Sequence, residues 1–298
     1  MMTAQALLAF LCVLAADAQE AANRVPTFRS EVSVVKVDLQ VLPGPDKPAG
    51  LLTREDLVVY DEGKLQTINY FGRETEPLQL MLLLDVSESM RPSLRDVART
   101  AREALSVLGP EDRVGLALFA SRSQVVQPLT TDRSAFGKAI VDNMFKGVFG
   151  RETYLNEGLL TAADVLAATP VTSRRAILVI SDNVSALSNA STESVKRALH
   201  DQNIVVNAVA LAPAGEPLGV VDLRPYIEAT GGEYMNSSAV AEPFKQLVER
   251  IKARYVLQYA MPPAESGKFR RLRVELSDRG KRRFPGATIL AREGYFAP

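Results

Sequence analysis

The chain has no tryptophan, one histidine and one cysteine, and only 6% of its residues are aromatic. Each scarcity closes a class of function. One histidine with one cysteine cannot furnish the ligands of a zinc centre. A lone candidate base, His200, unaccompanied by a GxSxG elbow, argues against serine hydrolysis. His200 lies near the end of a helical stretch, where it reads as a surface side chain opposing the helix dipole. Few aromatics leave little platform for stacked bases. The 35 Lys+Arg are matched by 35 Asp+Glu, so no net field draws in nucleic acid or an anionic membrane, and no nucleic-acid partner is expected. Gly267-Lys268 has no glycine five residues before it and Phe269 after it, so it is not a phosphate loop.

Long apolar runs are scarce as well. Ala6 to Ala16 is unbroken but shorter than the roughly 20 residues that cross a bilayer, and it ends in the small-x-small pattern Ala16-Asp17-Ala18. Residues 1–18 therefore read as a secretory signal, with a mature start near Gln19, a secreted or periplasmic location and no membrane span after cleavage. Cys12 leaves with the signal, so neither thiol chemistry nor a disulfide is expected. With 298 residues, 47% of them hydrophobic, the chain can bury about three quarters of its unfolded surface without such staples.

Val35, Val37, Leu39 and Val41 alternate with polar residues, the period of a half-buried strand. Leu57–Tyr60 and Leu65–Phe71 flank Asp61-Glu-Gly-Lys64, a hairpin composition in which glycine supplies a positive φ. From Leu78 the pattern changes to apolar runs separated by helical periods. Leu80–Leu84 and Ala176–Ile180 are apolar throughout, as strands covered on both faces must be. Past Arg254 alternation returns in Tyr255, Leu257, Tyr259 and in Leu272, Val274, Leu276. The basic stretch Lys268–Arg283, with eight Lys or Arg, reads as the wet face of a charge-guarded edge strand. The expected fold is α/β: a doubly wound, mainly parallel sheet inserted between N- and C-terminal β segments that form one small β-sandwich. The expected boundaries are 1–18 signal, 19–77 N-terminal β segment, 78–252 α/β domain and 253–298 C-terminal β segment.

The apolar strand ending at Leu84 runs straight into Asp85-Val-Ser87-Glu-Ser89, a DxSxS. A loop leaving a strand end can turn such residues towards one centre, and a carboxylate with two hydroxyls offers the hard oxygen ligands that Mg²⁺ requires. Open α/β sheets place ligands at this carboxyl end. Thr153, just before a helical stretch, and Asp182, after the second buried strand, complete a set. The bland alternative is that Ser87, Ser89 and Thr153 are helix caps and Asp85 bonds only to backbone N–H groups.

Together these segments resemble the metal-ion-dependent adhesion site of the von Willebrand factor type A domain. Asp112-Arg-Val-Gly-Leu-Ala-Leu-Phe119 looks like that family's second strand. Leu52-Thr-Arg-Glu-Asp-Leu57 and Ala291-Arg-Glu-Gly-Tyr295 look like the VWFA-related domain described as acidobacterial, found in secreted bacterial proteins. The resemblance implies that Asp85, Ser87, Ser89, Thr153 and Asp182 hold Mg²⁺, with Mn²⁺ or Ca²⁺ as alternatives. It also implies an adhesion-type, non-enzymatic module that captures an exposed Asp or Glu of a protein partner. Side chains around Met90, Arg91, Arg151 and Tyr154 would position that acid. One departure is Asn183, where the family often has glycine. The rival function is a scaffold subunit of an envelope assembly whose metal site goes unused, and a hydrolase ranks below both.

Overall fold

Alternation decides the first strand of the computed structural model, in which residues 33–44, 51–73, 75–144, 152–170, 172–186, 189–211 and 222–298 are described. The expected signal with Cys12, and Arg151, lie outside them. In β1 (Val34–Leu42), Val35, Val37 and Leu39 are buried between more exposed neighbours. β2 (Leu57–Asp61) and β3 (Lys64–Gln66) join through Glu62 and Gly63, whose φ values of 50° and 74° are the paired left-handed conformations of a tight hairpin. The expected second arm, Leu65–Phe71, is in fact divided: β3 stays with β2, whereas β4 (Ile68–Arg73) pairs with a strand from the far end of the chain.

The α/β part starts with β5 (Leu78–Asp85), buried at every position. There follow α1 (Arg91–Ala104), β6 (Arg113–Phe119), β7 (Ser123–Thr130), α2 (Arg133–Met144), α3 (Leu155–Ala167), β8 (Arg174–Ser181) and α4 (Thr192–Asp201). β9 (Ile204–Ala210), α5 (Arg224–Thr230), β10 (Tyr234–Asn236) and α6 (Ala241–Lys252) complete it. The sheet order is β10-β9-β8-β5-β6-β7, parallel except for β7. Alternate residues of β5 feed two cores. Leu80, Leu82 and Leu84 pack with Leu94 and Val97 of α1, Phe136 of α2 and Phe244 of α6. Met81 and Leu83 pack with Leu159 of α3, Leu199 of α4 and Tyr226 of α5. Helices thus cover both faces, which is why β5 carries no polar residue outward. Each buried Leu or Phe in these cores contributes about 1.5–3 kcal/mol.

β11 (Tyr255–Ala260), β12 (Phe269–Leu276), α7 (Asp278–Arg283), β13 (Thr288–Ala291) and β14 (Gly294–Phe296) return to β structure. The two terminal segments make two four-stranded sheets, β13-β1-β11-β4 and β14-β12-β2-β3, which share one apolar core around Val37, Leu39, Val59, Leu257 and Tyr259. The α/β fold inserted between pairing N- and C-terminal β segments is as expected. The edge-strand reading of Lys268–Arg283 is corrected, because β12 has a neighbour on each side. Its basic residues also have inward tasks: Arg270 pairs at 2.6 Å with the fully buried Asp61, whose other oxygen accepts the hydroxyls of Tyr259 and Tyr295. Arg279 and Arg283 of α7 pair with the buried Asp56.

The sandwich meets the α/β sheet at the amino ends of its parallel strands. Arg254, fully buried, donates to Asp38 Oδ1 at 2.8 Å, to the Gly231 carbonyl at 2.9 Å and to Gln40 Oε1 at 3.2 Å. Gly231 ends α5 at φ 71°, and a Cβ there would stand 2.2 Å from the Ala291 backbone. Gly231→Ala should therefore cost at least about 2 kcal/mol, combining left-handed strain with a backbone clash, as read by urea unfolding. β5 rises about 3.3 Å per residue, so this junction lies roughly 23 Å from the Asp85 end.

Candidate metal centre

Parallel register brings two strand ends side by side. Leu84 pairs with Ile180, so the next residues, Asp85 and Ser181, stand abreast, and the Ser181 hydroxyl donates to Asp85 Oδ2 at 2.6 Å. The other oxygen, Oδ1, accepts the Ser87 N–H at 2.9 Å. This fixes the turn in which Ser87 and Ser89 face one another, with their hydroxyl oxygens 3.1 Å apart. Ser87 is buried, whereas Ser89 is exposed, so the pair opens to solvent on one side.

Thr153 and Asp182 reach the same end of the sheet through backbone ties. Tyr154 N–H donates to the Ala120 carbonyl beyond β6 at 2.9 Å, while the Thr153 carbonyl accepts Ala186 N–H at 2.8 Å and the Ser185 hydroxyl at 2.7 Å. The loop after β8 is turned by Asp182, whose Oδ1 accepts Val184 N–H at 3.0 Å. Asn183 adopts φ 59°. That left-handed conformation accounts for the departure from glycine, since asparagine tolerates it better than most side chains. Asn183 also binds outward: its amide donates to Asp222 and accepts Leu223 N–H, both at 3.0 Å, anchoring the loop to the start of α5.

Capping does not use up the hydroxyls. Ser87 precedes the single 3-10 turn Glu88–Met90 and Tyr154 precedes α3, yet neither helix start carries a side-chain cap bond. Among the described residues the Thr153 hydroxyl likewise makes no hydrogen bond, although its residue is buried. Asp85 does bond backbone N–H, as the bland reading has it. Burial raises the Asp85 carboxyl to about 6 despite the Ser181 and Ser87 bonds, with Asp182 adding repulsion. An ionised carboxylate so placed is relieved by a cation.

The donor set suits a hard divalent ion. It is all oxygen, and ligands at about 2.0–2.1 Å on perpendicular axes stand about 2.9 Å apart, close to the 3.1 Å between Ser87 and Ser89. Among the described residues no group of three or more His, Cys, Asp or Glu is gathered at this site or at any other, so the set rests on two carboxylates and three hydroxyls. Of the residues expected at the rim, Arg91 is exposed and Tyr154 bonds Glu152, but Met90 is buried in the core beneath α1 and unavailable to a partner. Sequence reasoning missed Ser181, Ser185 and the anchoring amide of Asn183. For Ser181 the signal was present, as two apolar strands in parallel register each end in a polar residue.

Comparison with known proteins matches residues 80–185 to the family profile described as von Willebrand factor type A domain. No curated protein matches the chain. Among solved structures, a von Willebrand factor type A protein from Catenulispora acidiphila is 14% identical with a TM-score of 0.52, covering 91% of this chain and 75% of its own. Proximal thread matrix protein 1 from the mussel byssus, with a zinc-occupied MIDAS motif, is 13% identical with a TM-score of 0.52 over 65% of this chain and 50% of its own. An aerotolerance-related membrane protein from Bacteroides fragilis is 21% identical with a TM-score of 0.46 over 58% of this chain and 98% of its own. Domains of this family are often metal-dependent protein-interaction modules. Residues 80–185, within the α/β part of this chain, match the von Willebrand factor type A domain family, and the fold agrees with that match.

Proposed function

We propose that the protein is a secreted binding module in which Asp85, Ser87, Ser89, Thr153 and Asp182 hold Mg²⁺, or Mn²⁺ or Ca²⁺, to capture an acidic residue of another protein. The observation that carries this reading is the pair of uncapped serine hydroxyls 3.1 Å apart beside the buried Asp85 carboxylate, open to solvent at Ser89. Two carboxylates merely balance a divalent cation, and three neutral hydroxyls leave it electrophilic towards one more oxygen. An anionic Asp or Glu from a partner is a better sixth ligand than water. Arg91 stands at the rim to hold its second oxygen, and Arg151 is the other candidate. The hydroxyl that meets a carboxylate here, Ser181 on Asp85, is buried away from any substrate, so binding rather than turnover is the activity assigned.

The organisation that goes with it has 1–18 as a cleaved signal, 78–252 as the metal-binding domain, and 19–77 with 253–298 as the β-sandwich. Among the described residues no helix is long and apolar enough to cross a membrane. A scaffold role is the second reading. It is favoured by the Ser181 and Ser87 bonds that already satisfy both Asp85 oxygens without a cation.

Capture from cell-envelope extract in Mg²⁺, in chelator and with Asp85→Ala separates the two. The binding reading expects capture only by the wild type in Mg²⁺, weakened by salt and lost when the partner's acidic residue is amidated. Equal capture in chelator would leave the scaffold reading standing.

A further inference from the structure

His200, expected on the surface, is buried where α4 meets the sandwich, with its ring edge-on to Phe269 of β12 and Phe296 of β14 at 5.3 and 6.3 Å. Among the described residues its Nε2 is buried without a hydrogen-bond partner, and so is Nε of Arg292 in the β13–β14 turn. Both side chains line one cavity of about 10 Å³, the size of a single water site, together with Asp38 of β1, Asn203, Val205 of β9 and Thr230 of α5. Elsewhere Arg292 is anchored at both ends of its fork, through Nη1 to Asn203 at 3.1 Å and Nη2 to the Lys36 carbonyl at 2.7 Å, so its Nε–H is held in place.

We propose that one internal water in this cavity accepts the Arg292 Nε–H and donates to a neutral His200 Nε2, and that protonating His200 breaks this bridge and loosens the sandwich from the α/β domain. The donor and acceptor are complementary only while Nε2 carries no proton. The charges around the ring are mostly positive or distant. Arg292 shares the cavity; Lys196, one turn earlier in α4, lies 3.9 Å from Glu293, and Glu293 stands 3.8 Å from Nε2, beyond hydrogen-bond length. Asp201 faces Arg197, and Asp38 is already paired with Arg254 at 2.8 Å and Arg174 at 3.8 Å. Of these carboxylates only Glu293 is within ion-pair reach of Nε2, and it is half exposed and shared with Lys196, so it offers an imidazolium no more than a screened charge.

Burial first, then Arg292 and Lys196, lower the His200 titration from 6.5 to about 4. Because the docked value is depressed, the junction is fully stable above about pH 6.5 and weakens as pH falls towards 4. Within that window its opening constant rises about tenfold per pH unit.

His200 is the only histidine, so its imidazole resonances in the full chain need no assignment. They should keep their neutral shifts down to pH 5. Hydrogen exchange of peptides spanning 192–201 and 288–296, corrected for intrinsic rate, should speed up about tenfold per unit of acidification relative to 78–85, in the wild type but not in His200→Phe or His200→Gln. A crystal structure at neutral pH should hold a water within hydrogen-bond distance of both nitrogens. Titration of the folded protein near 6.5, the same acid response in both variants, or the lack of that water would overturn the proposal. The wild-type titration decides even where a variant fails to fold.

Discussion

Asp85→Ala is expected to abolish the response of the melting temperature to Mg²⁺ while leaving the protein folded. A ligand that binds only the native state stabilises it by mass action, so free Mg²⁺ at 100 times Kd adds about 2.7 kcal/mol to the wild type. The variant loses one of two carboxylates, and the remaining Asp182 with three hydroxyls cannot neutralise a divalent ion. Asp85 is buried and its ionisation is opposed by that burial, so its removal does not unfold the sheet; the Ser181 hydroxyl and the Ser87 N–H each lose a partner, at a cost of about 1 kcal/mol apiece. Thermal scans of both proteins across a Mg²⁺ series, with chelator as baseline, measure the difference. A wild type indifferent to Mg²⁺ would remove metal from the account.

The second large effect is expected at the junction. Arg254 is fully buried, reaches Asp38, Gln40 and the Gly231 carbonyl together, and joins the start of β11 to the end of α5. Arg254→Met leaves Asp38, largely buried, with only the longer contact to Arg174 at 3.8 Å. Removing one partner of such a pair costs about 3–5 kcal/mol, mainly by stranding the other charge. Arg254→Lys should recover little, because a single ammonium cannot span three acceptors that a guanidinium fork reaches. Urea unfolding of the full chain gives both values, and a loss under about 1 kcal/mol in Arg254→Met would show that the junction does not depend on this pair.

The parallel sheet was legible because strands buried on both faces leave no room for a polar residue until they end. Leu80–Leu84 and Ala176–Ile180 therefore announce both their burial and the point, at Asp85 and Ser181, where polar chemistry begins. Alternation in Tyr255, Leu257, Tyr259 and in Leu272, Val274, Leu276 gave each strand's buried face in the same way. It did not give neighbours. β12 lies against β2, a pairing between Leu272 and Asp61 that depends on tertiary packing over most of the chain, and a run of arginines looks alike on an edge or in the interior. The division of Leu65–Phe71 was hidden for the same reason. His200 ends a helix, where a dipole argument places it in water, but β14 from the C-terminus packs over it. Within the candidate site, residue types and order were readable at the five proposed ligands. The supports, Ser181 and Asn183, follow from strand register and a positive φ that local sequence does not state.

The most direct test is anomalous scattering from crystals of the full chain grown with Mn²⁺. The account predicts one strong peak among the side-chain oxygens of Asp85, Ser87, Ser89, Thr153 and Asp182, lost in Asp85→Ala. Manganese bound elsewhere, or the same five residues surrounding no peak at saturating Mn²⁺, would contradict it.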